Sequence, residues 1–219
     1  MSPYLPVALG AAVAVLPWGW GPGRHVVTLV HEAGHALVAV LTGRRLDGVR
    51  LHRDTSGLTT SVGRLTGPGM VATAAAGYLA PSALGLGLLV LVTTGRTTWA
   101  LWLALAVVAG VLVFVRNWFG LLVVLLTGLA VALLVWRSDD PVQRFAALAI
   151  ASFLLIGGPR TTVELWSSRR RSRSGTSDAD VLARLTHVPA AAWNAAFVAV
   201  TVGALVPAWS LVRDLRVLG

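Results

Sequence analysis

Two histidines four residues apart, with a glutamate beside the first, carry the sharpest chemical signal in this chain: His31-Glu32-Ala33-Gly34-His35. On a helix, residues four apart share one face about a turn from each other. Both imidazoles can then reach one ion, and zinc suits that pairing. Glu32 lies beside them and can take a proton from water activated by the metal. Shuffling this composition yields the pattern on the order of once in a thousand trials. The motif also sits inside an apolar run, where each ionisable group costs about 2.5–3.5 kcal/mol to insert. The bland alternative is a buried polar cluster that locks two helices together.

The chain around the motif has 219 residues, of which 56% are hydrophobic and 12% charged. An ordinary soluble domain carries about 25% charged residues. Mean hydropathy is +0.75. These values exclude a soluble globular domain and a disordered chain, and they predict an all-α integral membrane protein forming one polytopic domain over 1–219. There is no cysteine, which excludes disulfides, thiolate metal sites and a cysteine nucleophile. Net charge is +9 and every basic residue is arginine. The arginines fall between apolar runs, so they predict membrane orientation and contact with anionic lipid rather than nucleic-acid binding.

A spanning helix needs about 20 mostly apolar residues. Up to seven such runs are present: about 4–20, 24–42, 69–93, 97–115, 118–136, 144–158 and 188–207. The first reads as a span or a re-entrant segment, with Gly21-Pro22-Gly23 as a break after it, and Gly43 before Arg44 and Arg45 reads as a helix stop after the second. Six or seven spans are therefore expected. Residues 44–68 contain two alternating stretches around Asp54-Thr55-Ser56-Gly57, which predicts a β-hairpin over 49–62. Residues 159–187, with Arg169-Arg170-Arg171-Ser172-Arg173, read as a flexible basic loop and topology anchor. With seven spans, twelve arginines fall on the side of the hairpin and this loop and six on the other. That bias places the N-terminus, the hairpin and the loop in the cytoplasm; with six spans the N-terminus changes sides and the loops do not.

A catalytic zinc takes three protein ligands and keeps one position open. Most aspartates lie in turn-like sequence. Asp178 and Asp180, in Ser177-Asp178-Ala179-Asp180, are the exceptions, although Ser and Asp also cap helices well, and spacing alone leaves capping slightly ahead. Asn117, with Arg116, interrupts an apolar stretch. It fits a tight turn between spans, or a side chain that hydrogen-bonds substrate backbone or a developing oxyanion.

The ordered set of motifs resembles the site-2 protease group of intramembrane zinc metallopeptidases (metallopeptidase family fifty), in its compact bacterial branch. The matching pieces are His31 to Ala36, the strand pair within Val49 to Thr60, Ala76-Gly77-Tyr78-Leu79-Ala80-Pro81, Arg116-Asn117-Trp118-Phe119-Gly120, and Ser177-Asp178-Ala179 with Pro189 and Trp193. They cover about residues 24–205. In that family a late aspartate completes the zinc site, which implies Asp178, with Asp180 as the fallback. The familiar Asn-Pro…Asp-Gly context of that aspartate does not occur here. The resemblance implies zinc as cofactor, Glu32 as catalytic base, Asn117 at the substrate, a transmembrane protein as substrate, and a multi-pass place in a bacterial plasma membrane. It also implies that the hairpin holds an unwound substrate by strand addition. Two other readings stand beside this one. A non-catalytic scaffold would have no use for Glu32. A metal transporter would spread its His and carboxylates over several spans.

Overall fold

The computed structural model describes residues 4–171 and 176–215, with side chains left out at 168–171. The chain begins with α1 (Tyr4–Val15) and α2 (Pro17–Leu41), bent by 90° at Leu16. The bend is set by Pro17. A residue before proline is pushed out of the α region, and Leu16 sits at φ −77°, ψ 140°. At 1.5 Å per residue, the 12 residues of α1 reach about 18 Å, too short to cross a bilayer core of about 30 Å alone. The run at 4–20, read as a span or a re-entrant segment, is mostly one arm of a bent pair that forms a broken span or a re-entrant loop. The expected break at 21–23 is absent, because α2 runs through Pro22.

α2 stops where the sequence predicts. The Gly43 N–H bonds the Val40 carbonyl and the Arg44 N–H bonds the Ala39 carbonyl, with Gly43 at φ +76°. This double closure needs a left-handed residue, which glycine adopts without strain. A hairpin follows: β1 (Arg45–Leu51) pairs antiparallel with β2 (Gly57–Val62), Val49 opposite Thr59 and Leu51 opposite Gly57. Arg44, largely buried, holds the end of β2 through the Ser61 side chain and carbonyl and the Arg64 carbonyl.

The remaining elements are α3 (Pro68–Thr93), α4 (Thr97–Phe114), α5 (Trp118–Arg137), α6 (Asp140–Arg171), α7 (Asp178–Thr186), α8 (Ala190–Gly203) and α9 (Leu205–Asp214). Five stretches are long and apolar enough to span, namely α3, α4, α5, Asp140–Ser167 of α6 and Ala190–Asp214 across α8 and α9; the bent pair makes at most a sixth. The chain is a multi-pass helical membrane protein with one small two-stranded sheet. The seventh span is lost because the first two apolar runs belong to that bent pair.

The basic loop expected over 159–187 is also different. α6 continues through Pro159 to Arg171, and α7 occupies 178–186; Arg173 lies outside the described residues. A proline inside a helix removes one donor, and in membrane helices packing and nearby hydroxyls make this tolerable. Here Thr161 and Thr162 donate to the Gly158 and Pro159 carbonyls at 2.8 and 2.7 Å. Thr162 and Leu165 are buried against the helices that carry the site.

α3 packs between α2 and α6. Small residues let these backbones approach, the usual basis of helix association where lipid removes the hydrophobic drive. A Cβ on Gly34 of α2 would stand 2.5 Å from the Ala80 Cβ and 2.9 Å from the Ala76 carbonyl oxygen of α3. Asn194 of α8, buried, reaches α6 with its amide. In the orientation that satisfies both atoms, its nitrogen donates to the Thr162 carbonyl at 3.2 Å and its oxygen accepts from the Trp166 N–H at 3.3 Å. α4 and α5 form an outer hairpin.

Gly34→Val should push α2 from α3 and lower stability by about 1–3 kcal/mol. Thermal unfolding in detergent reads this directly; an unchanged midpoint would mean the two helices do not need this approach.

Candidate metal centre

Along α2, spacings of three and four place Arg24, Thr28, His31, Glu32 and His35 toward one side. All five line a single cleft of about 540 Å³, whose other walls come from β2, α3, α6 and α7. Inside it, His31 Nε2 and His35 Nε2 stand 3.1 Å apart, and Asp178 Oδ2 lies 3.1 Å from the first and 3.3 Å from the second. His31, His35 and Asp178 thus offer three ligand atoms that could hold one metal ion.

The spacing fits. Zinc bonded at about 2.0–2.1 Å in a tetrahedron keeps its ligand atoms about 3.3–3.4 Å apart. The donor chemistry fits as well. His35 Nδ1 is 2.7 Å from the Thr73 carbonyl oxygen. A carbonyl only accepts, so Nδ1 carries a proton, which leaves Nε2 as the nitrogen that would meet an ion at the centre. The third test is space. A Cβ on Gly77 would lie 2.3 Å from His35 Nε2 and 2.6 Å from His31 Nε2. Glycine here keeps open the volume that an ion would fill.

Asp178 and Asp180 divide the two tasks that spacing could not separate. Asp180 accepts from the Ser177 N–H at 3.0 Å and from its hydroxyl at 2.6 Å, and Ser177 caps the Asp180 N–H in return. Asp180 is therefore the partner of the N-cap Ser177 in the capping box of α7, and Asp178, two residues earlier, faces the histidines. Burial pushes the Asp178 carboxyl up, but His35 and His31 beside it outweigh that and hold it below the ordinary carboxylate range.

Glu32 is buried and held by β2. The Thr59 hydroxyl donates to Glu32 Oε2 at 2.6 Å, and a Cβ on Gly57 would stand 2.3 Å from Oε1. The strand alternates: Gly57, Thr59 and Ser61 are half-buried toward the cleft, whereas Leu58, Thr60 and Val62 are exposed. Tyr78 of α3 meets the His31 ring edge-on at 4.6 Å and stacks on Phe197 of α8 at 5.2 Å.

Asn117 lies at the turn between α4 and α5, which is one of its two expected placements. Its nitrogen donates to the Leu51 carbonyl at 2.7 Å and its oxygen accepts from the Leu51 N–H at 3.2 Å. With the Arg116 N–H on the Val49 carbonyl at 2.9 Å, residues 115–117 act as a short partner along the outer side of β1. Asn117 does not line the cleft. Both ends of its amide bond β1, so in this arrangement it braces the hairpin. Thr59, Thr73, Gly57 and Gly77 were not assigned roles from sequence. Only Thr59 and Gly57 had a usable signal, since period-two alternation puts them on one strand face.

The model of the Peptidase M50B-like family matches residues 4–208. The chain belongs to that family. No curated protein and no solved structure matches it. Within this M50B-like chain, Ala76, Gly77, Tyr78 and Ala80 from the motif noted in α3 all touch the α2 metal helix or its ligands.

Asp178→Ala should abolish metal binding, and Asp180→Ala should keep it while costing about 1 kcal/mol through the lost cap. Metal per chain by mass spectrometry, with an unfolding midpoint for each variant, checks both. The reverse pattern would exchange the two roles.

Proposed function

We propose that this protein is an intramembrane zinc metalloprotease that cuts a membrane-spanning protein substrate in the plasma membrane of a bacterium. The observation that carries this reading is the triangle of His31, His35 and Asp178 at tetrahedral spacing, with Glu32 held in the same cleft. His31, His35 and Asp178 would hold zinc, which supplies a Lewis acid that lowers the pKa of water and polarises a peptide carbonyl. Glu32 takes the proton of the attacking water and hands it to the leaving amine. Thr59 fixes one carboxylate oxygen, which leaves Oε1 as the free proton acceptor.

The strand beside Glu32 supports a binding mode. Val49 and Leu51 spend backbone groups on residues 116 and 117. In an antiparallel ladder, their partners Thr59 and Gly57 must then turn their own N–H and C=O to the outer edge of β2. Among the described residues, no strand pairs with that edge. An unwound substrate segment can add there, beside the base and the metal ligands. Unwinding is required because helical carbonyls are already hydrogen-bonded.

The test combines zinc analysis with cleavage of fluorogenic, unstructured peptides by the full chain in detergent. Wild type should hold about one zinc and cleave. His35→Ala should lose both properties. Glu32→Gln should keep zinc and lose cleavage by at least about 100-fold. Thr59→Val should keep zinc and lower kcat more than it raises KM, with Thr59→Ser restoring the rate. Zinc-loaded wild type that cleaves nothing, or Glu32→Gln at full activity, would overturn the protease reading.

A further inference from the structure

Outside the metal triad and its base, the cleft has one more charged group of unusual composition. Glu164 of α6 is the only glutamate besides Glu32, and it too lines the cleft. It sits between two arginines. Its Oε1 accepts from Trp20 Nε1 at 2.8 Å and from Arg160 Nε at 3.2 Å. Its Oε2 is buried without a hydrogen-bond donor, and Arg24 stands 3.4 Å away.

The two arginines are not equivalent. Arg160 is fully used: its guanidinium lies 4.3 Å over the Trp20 ring and donates to the Ala14 and Val15 carbonyls at the end of α1. That end carries partial negative charge, which a cation stabilises. Arg24 has the loose contact to Glu164 as its only ion pair and makes no hydrogen bond among the described residues, although a guanidinium offers five donors. Its side chain is 39% exposed and faces the cleft. Two guanidiniums against one carboxylate leave one positive charge in excess, and the free donors belong to Arg24. A guanidinium with free donors at the edge of a cleft can take a carboxylate through two parallel hydrogen bonds.

From the reading of the cleft as a peptide site, we infer that Arg24 forms a subsite for a substrate carboxylate. Arg24 lies seven residues before His31 on α2, about 10.5 Å along the helix axis. An extended chain covers that in about three residues. The favoured substrate therefore carries an acidic side chain about three residues from the scissile bond, paired with the Arg24 fork. Glu164 is the internal competitor that occupies Arg24 when substrate is absent.

The experiment uses zinc-loaded full chain carrying Glu32→Gln, so that binding is read without turnover. Fluorescein-labelled, unstructured ten-residue peptides, amidated at the C-terminus, carry one Glu, Gln or Lys walked along the sequence. A neutral peptide with a free C-terminus tests a chain-terminal carboxylate as the alternative source. The Glu peptide at its best position should bind about tenfold or more tightly than its Gln counterpart. Arg24→Gln should reduce that ratio to about one while zinc per chain stays unchanged. Glu164→Gln should raise it, an opposite shift that a general structural defect would not produce. Binding without charge preference, a preference for Lys, or a ratio untouched by Arg24→Gln overturns the subsite and leaves the protease reading standing. If only the free C-terminus confers the gain, the side-chain assignment falls. If no peptide binds the zinc-loaded protein, both readings fall.

Discussion

Three electron-pair donors converge within 3.3 Å of one another inside an apolar helix bundle, and most of the architecture follows from holding them there. Two of its members come from α2, while the third is the first residue of α7. The scaffold must therefore fix both sides. On one side, the Thr73 carbonyl orients His35 and Gly77 gives it room. On the other, the capping box of Ser177 and Asp180 anchors the first turn of α7, and the buried Ala179 and Leu182 seat that helix in a cluster with Ala74, Leu165 and Phe197. The continuation of α6 past Pro159 contributes Leu165 to this seat. Had α6 ended at 158, α7 would have lost part of the surface it packs on.

The hairpin serves the same end from a third direction. Its inner strand is clamped by Asn117 and the Arg116 N–H, and its far end by Arg44. That clamping leaves β2 with one side spent on β1 and the other open. The strand's side chains hold Glu32 while its outward backbone groups remain available. The contacts to Glu32 and the open backbone edge thus reside in the same two residues, Gly57 and Thr59. On the proposed reading, a substrate strand that orders this edge would also order the carboxylate behind it.

What the sequence made legible divides along physical lines. The His31–His35 pair and the hairpin were readable because each depends on local periodicity, four for a helix face and two for a strand. The stop at Gly43 was readable for the same reason, since only a left-handed residue closes that turn. Asp178 was not separable from Asp180 by spacing, because ligands and caps draw on the same residue types and the choice depends on which one faces α2. The run at 4–20 fits a span or a re-entrant segment equally by composition, and only the bend between α1 and α2 shows how it is used. The loop over 159–187 is replaced by helix because Pro17 and Pro159 behave oppositely. The first follows the end of α1 and starts a new helix at 90° to it, whereas the second lies within α6, which packs against α1 and α3. The contact of Asn117 with β1 was not legible, because a polar side chain at a break between spans looks the same whether it faces a ligand or a strand. Thr73 acts through its carbonyl, which no side-chain pattern reveals.

Charge placement follows one rule throughout. With 12% charged residues, this bundle can bury an anion only where donors or cations already wait for it. Asp178 meets two imidazoles, and Glu32 meets the Thr59 hydroxyl. Glu164 meets Trp20 and two arginines. The first two are matched closely, but the third is matched on one oxygen and only loosely on the other. Both glutamates and the ligand aspartate face one cleft, so the bundle concentrates its electrostatic cost in a single place. The loose end of that arrangement is the Arg24 guanidinium, which lines the same cleft, and the proposed subsite would give that loose end its partner.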